Sequence, residues 1–138
     1  MLRFYTADLT HDITFVAGYE PPRPNLRPRE RITADAGFAA DPLCEDMLYD
    51  SGIRPRRQTR FVSSETQGLL SYAQVVQMID LYEAGGPFLI DTDLLGAPGA
   101  AAVTYNAQWE PGTTPLFSLF TPDGALYYID MLVRTKEV

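Results

Sequence analysis

Apolar and polar residues along this chain follow the two-residue period of half-buried strands over several segments, and the longer helical period in one. Ile13-Thr14-Phe15-Val16 is a short β-favouring run closed by Gly18. Arg56 to Ser64 (RRQTRFVSS) alternates and carries arginine on one side, Pro87 to Asp91 (PFLID) is an apolar strand, and Ala102 to Tyr105 is another. The strongest β signal comes last. Leu116 to Phe120 and Ala125 to Arg134 flank Thr121-Pro122-Asp123-Gly124, and Asp-Gly in a short connection marks a hairpin because glycine supplies positive φ. On its second strand Tyr127, Ile129, Met131 and Val133 are assigned to the core. The opposite face (Leu126, Tyr128, Asp130, Leu132, Arg134) is too apolar to be fully wetted, so it is expected to meet the helix or another subunit.

The helix is expected over 71–84. Ser71 followed three residues later by Gln74 matches a capping box, in which each side chain satisfies an orphan amide. Tyr72, Val75, Val76, Ile79 and Tyr82 then form one stripe, expected to pack on the sheet. Gly85-Gly86-Pro87 stops the helix. A second, short helix is expected from Asp41, with Pro42 in its first turn, through Leu48, ending at Asp50-Ser51-Gly52. Between the first strand and this region, residues 20–28 hold four prolines, each lacking a backbone donor and pushing its predecessor toward extended geometry. This reads as an arm with few apolar residues of its own, expected to become ordered on a neighbouring subunit. The fold expected is a mainly β (α+β) single domain over 1–138: an antiparallel β-sandwich or barrel flanked by one α-helix, with an extended proline-rich arm at 20–31.

Length and composition fit that picture, since 138 residues with 46% hydrophobic and 21% charged is ordinary globular usage for one domain. No apolar run approaches the roughly 20 residues of a spanning helix. The formal charge of −7 opposes general phosphate-backbone binding. Its distribution matters more than its total. Residues 23–60 hold eight basic residues against six acids, and the remainder three against twelve. Such polarity suits a subunit whose basic face meets an acidic neighbour, although a solvated surface accounts for it equally well. Arg23, Arg27, Arg29, Arg31, Arg56 and Arg57 are the candidate interface cations, with Trp109 as a candidate aromatic anchor or a plug at the end of the sheet.

Catalytic and metal-binding patterns are sparse. His11 beside Asp12 is the one local pair suited to acid–base work, and Cys44 has only His11 available as an activating base. Asp91-Thr92-Asp93 begins a calcium-type loop without the later glycine and glutamate that would complete it. Gly96-Ala97-Pro98-Gly99 lacks the Lys and Ser/Thr of a phosphate-binding loop. The chain is therefore read as a non-enzyme with no catalytic, cofactor-binding or metal-binding residues assigned.

The order of an arginine-flanked strand (RRQTRFVSS), a capped helix (SYAQVVQMIDLYEAGG), an apolar strand (PFLID) and the late hairpin ending DGALYYIDMLVRTKEV resembles the minor-tail and distal-tail proteins of long-tailed bacteriophages. The likeness covers roughly the last 80 residues and lies in element order. It implies a tail-tube-like β fold and a virion structural protein, made in the host cytoplasm, that forms a ring with itself and with other tail or connector subunits. It also implies a lumen through which a genome passes without specific nucleic-acid binding, and no membrane partner. The alternative is a small adaptor or inhibitor module that turns its arginine-rich segment toward an acidic partner.

Overall fold

The computed structural model describes residues 1–36 and 47–138, with side chains described outside 32–51. In chain order the elements are β1 (Leu2–Tyr5), β2 (Asp12–Thr14), β3 (Arg31–Ala36), β4 (Met47–Ile53), β5 (Arg57–Val62), β6 (Leu70–Ser71), α1 (Tyr72–Ala84), β7 (Phe88–Thr92), β8 (Val103–Trp109), β9 (Leu116–Leu119) and β10 (Leu126–Glu137). Eight strands form one antiparallel sheet with the path β2-β1-β7-β8-β10-β5. Strand β10 is its spine. Along one edge it pairs first with β9 and then with β8, and along the other with β6 and then with β5. β3 and β4 pair separately as a two-stranded antiparallel ribbon.

The sheet is curled into a half-barrel. Strands β1 and β5 are four ladder steps apart, which at about 4.8 Å per step would separate them by about 19 Å in a flat sheet. Yet the rings of Phe4 on β1 and Phe61 on β5 lie 5.7 Å apart, edge to face. Phe15 and Phe88 join Phe4 at 6.3 and 6.0 Å, so the hollow is filled by aromatic side chains. Alternation puts Leu2, Phe4, Phe61, Ile90, Ile129, Met131 and Val133 inside, all fully buried. The mainly β antiparallel architecture with one helix is thus the one expected, and the curl places it on the barrel side of the sandwich-or-barrel alternative.

Helix α1 begins as the sequence indicates. The Ser71 hydroxyl accepts from the Gln74 amide, and the Gln74 side chain accepts from the Ser71 amide at 3.1 Å. Its phase is different from expectation. Val75, Met78 and Leu81 face the core, whereas Tyr72 and Val76 are 62% and 39% exposed; Ile79 is partly buried against the core. Apolar residues surround most of this helix, so spacing alone leaves its rotation undetermined. Its entry settles the rotation: Ser71 pairs with Leu126 of β10, and the Gln74 side-chain Nε2 donates to the Thr14 carbonyl at 3.1 Å.

Two further expectations change. Met47 and Leu48 belong to strand β4, where a helix from Asp41 to Leu48 was expected, because pairing with β3 gives this segment's backbone its partners; residues 42–46 of that helix, with Cys44, lie outside the described residues. The proline-rich arm has anchors in its own domain. Pro21 is buried, and the Gly68 amide donates to the Tyr19 carbonyl at 2.8 Å. A Cβ on Gly68 would lie 2.9 Å from the Pro21 Cα, so glycine is what permits this approach. These contacts fix the start of the arm within the chain itself.

Candidate functional site

Residues of β5, β8 and β10 come together at one open end of the half-barrel, beneath the arm. On β5, Arg57 shares the inward side with Thr59 and Phe61, opposite Thr135, Val133 and Met131 of β10. Because Phe61 is deep in the core and Arg57 two pairs toward the strand end, Arg57 emerges at the rim. The Thr59 and Thr135 hydroxyls, both buried, meet at 3.2 Å as a polar floor. Over this floor lies a groove of about 410 Å³, bordered by Arg27, Arg29, Arg57 and Lys136 with Glu137 as the one acid. Burial, followed by the Glu137 carboxylate, raises the pKa of the bordering Tyr105 phenol. A second cleft of about 320 Å³ continues along the arm, sharing Arg27 and adding Arg23 and Arg60.

The expected interface residues divide between this seam and other places. Arg23 donates to the Gly96 carbonyl, and Arg27 to the Gln58 amide oxygen at 3.0 Å, so both pin the arm. Arg29 and Arg57 border the groove without an ion pair among the described residues. Arg31 opens β3 and is exposed. Arg56 is half-buried and away from both clefts, its Nε shielded without a hydrogen-bond partner among the described residues. Trp109 sits at the other end of β8 from Tyr105 and packs on Phe88 at 5.1 Å and edge-on to Tyr82 at 5.5 Å. It is half-buried and also lines a separate cavity of about 580 Å³ with Glu83 and Glu110. Lys136 was missed because the alternation of the last strand was read only to Arg134, while pairing with β8 extends it to Glu137.

Three arginines on the outer face of the sheet are held in ion pairs. Arg3 meets Asp12 through two nitrogens, both at 2.9 Å. Arg60 grips Asp130 at 2.9 and 2.6 Å, and Arg134 grips Glu110 at 2.6 and 2.7 Å. The Arg60 and Arg3 guanidinium groups hold the Asp130 and Asp12 carboxyls below their ordinary range. Asp12 is thus engaged by Arg3. Asp91 accepts from Tyr5 and Thr104, while Asp93 accepts from the Met1 ammonium, so the two carboxylates are held by different partners. No group of three or more metal-ligating side chains occurs among the described residues.

Beside these pairs, the outer face of the β9–β10 hairpin is apolar. Leu116 and Phe120 lie 59% and 37% exposed, and Val62 across β10 is 40% exposed. Phe120 packs edge-on against Tyr128 at 4.9 Å, with half-buried Leu126 and Leu132 on the same face. The helix packs on the opposite side, where Tyr72 meets Tyr127 at 6.2 Å. Of the two covers expected for this face, the helix is therefore ruled out. No helix among the described residues is long and apolar enough to cross a membrane. No family model, no curated protein and no solved structure matches this chain.

Proposed function

We propose that this protein is a non-enzymatic structural subunit that assembles by protein–protein contact, in the form the tail-protein resemblance implies: a ring-forming component of a phage tail or head–tail or distal-tail assembly. The observation that carries the proposal is the apolar outer face of the β9–β10 hairpin, with Leu116, Phe120 and Val62 exposed on the side of the sheet away from α1. Exposed apolar side chains that no described residue covers mark an interaction surface, and a subunit contact removes them from water. A contact between different patches on identical subunits closes into a ring when the rotation permits.

Light scattering behind size exclusion, paired with electron microscopy of the same fractions, tests the reading. The expected result is a multi-subunit particle with a central opening, which Phe120→Asp converts to monomer while the circular-dichroism spectrum stays native. A monomer at every concentration up to about millimolar, the weak end of specific affinities, would sink it. A second reading, the adaptor or inhibitor module, is favoured by the unmatched cations of the groove.

A further inference from the structure

We infer that the groove between the proline-rich arm and the end of the half-barrel is a binding site for an acidic, extended polypeptide segment from a partner protein, whose carboxylates meet Arg29, Arg57 and Lys136. This goes beyond self-assembly, because a monomer presents the same groove. Arg29, Arg57 and Lys136 border one space of about 410 Å³ and take part in none of the ion pairs between described residues. That volume lies within the range of recognised ligand sites, and barrel mouths are a recurrent location for them. Like charges bordering one groove repel one another, so an anion entering among them gains both new charge-assisted hydrogen bonds and relief of that repulsion.

The walls decide the class of anion. Leu26, 81% exposed, and the apolar side chains of Pro24, Pro55 and Leu95 border the same groove. A bare phosphate ion would leave these surfaces wet, whereas a peptide alternating acidic and apolar side chains covers them. A nucleic acid also brings anions, but as a long polyanion extending past the groove into the field of a chain whose charge is −7. An acidic peptide side chain places its charge locally, within about one Debye length of the cations. The arm's prolines keep the upper wall extended, which lowers the ordering cost of binding.

The test is fluorescence polarisation of a labelled peptide alternating glutamate with leucine, run against the full chain beside a single-stranded oligothymidylate of equal charge and inorganic phosphate as competitor. The expected result is saturable peptide binding that weakens with added salt. Lys136→Glu and Arg57→Glu are each expected to weaken it by at least about tenfold, the scale of losing one charge-assisted hydrogen bond. Lys136 is exposed at the strand end, so its variant keeps the test decisive if Arg57→Glu disturbs the fold. Arg3→Gln, on the outer face, is expected to bind as the wild type does. No peptide binding, equal binding by the folded Lys136→Glu chain, or tighter binding of the oligothymidylate than of the peptide would each overturn the inference, as would full displacement of the peptide by phosphate at equal charge.

Discussion

The outer face of the sheet and the groove at its end both carry arginine, but they use it differently. On the outer face Arg3, Arg60 and Arg134 each hold a carboxylate through two nitrogens, supplied by another strand or by the turn after β8. In the groove Arg29, Arg57 and Lys136 stand with no such partner among the described residues. Fork-shaped guanidinium pairs fix geometry across strands, so the first arrangement acts within the fold. The second arrangement contributes little to the fold, and its chemistry is directed outward. The lesson is that arginine count in a sequence segment is a poor guide to a binding surface. Arg60, Arg56 and Arg57 lie within five residues, yet only Arg57 faces the groove with its charge unmatched.

An unmatched charge is tolerable only where water reaches it, and placing one on the inner face is expected to produce the largest effect. Met78→Asp puts a carboxylate at a fully buried position, a change worth several kcal/mol against a total stability of about 5–15. Thermal or urea unfolding should show loss of the native state. Val76→Asp, on the exposed side of the same helix, is expected to cost no more than about 1 kcal/mol. Equal damage from the two would mean that the helix is rotated from the position described.

Next in size is the removal of one partner from the least exposed outer pair. The side chains of Arg134 and Glu110 are 15% and 11% exposed, so Glu110→Ala leaves the guanidinium with little water around it and only the longer contact to Glu30, at 3.7 Å. About 2 kcal/mol of destabilisation is expected by urea denaturation, below the roughly 3–5 of a fully buried pair. Arg57→Ala in the groove should fall within about 0.5 kcal/mol of wild type, since no internal partner is lost. A large loss from Arg57→Ala would place that side chain in the fold's own network and dissolve the contrast between the two regions.

The contrast also explains what was legible in the sequence. The β9–β10 hairpin, the core face of β10 and both ends of α1 were legible because turn chemistry, alternation and capping act over a few residues. The rotation of α1 was not, since Met78 and Leu81 are as apolar as Val76 and only the β6–β10 pairing selects among them. The arm's path was hidden for a similar reason: it depends on Gly68 receiving Pro21 and on Gln58 and Gly96 receiving Arg27 and Arg23. The groove was hidden most completely. Arg29, Arg57, Tyr105 and Lys136 are scattered over more than a hundred positions, and only the curl of the sheet unites them. The apolar second face of the last strand, by contrast, was recognisable at once as a surface needing a cover.

A smaller effect is expected from Arg60 and Asp130, whose side chains are 52% and 35% exposed. Solvent screens such a pair, and a double-mutant cycle with Arg60→Ala and Asp130→Ala should give a coupling below about 1 kcal/mol. A coupling well above that would mean that the outer face is drier than its exposure indicates.

The smallest effect separates the two regions by pH. Asp130 is held below the ordinary carboxylate range first by its hydrogen bonds to Arg60, and Asp12 likewise by Arg3. As pH falls, the unfolded chain takes up these protons first, near the ordinary value of about 4, while the folded chain still resists them. The stability these carboxylates supply is therefore complete above that value and declines as pH drops through their lowered folded values. Urea midpoints measured between about pH 7 and pH 3 should hold level at first and then fall on the acid side. Arg60→Gln should flatten that acid decline, because Asp130 loses the partner that lowers its pKa. Arg57→Gln should leave the decline as steep as in the wild type, since no carboxylate among the described residues is paired with it. If Arg57→Gln flattened the decline as much as Arg60→Gln does, Arg57 would be matched inside the fold, and the groove would lose the open charge on which its proposed partner depends.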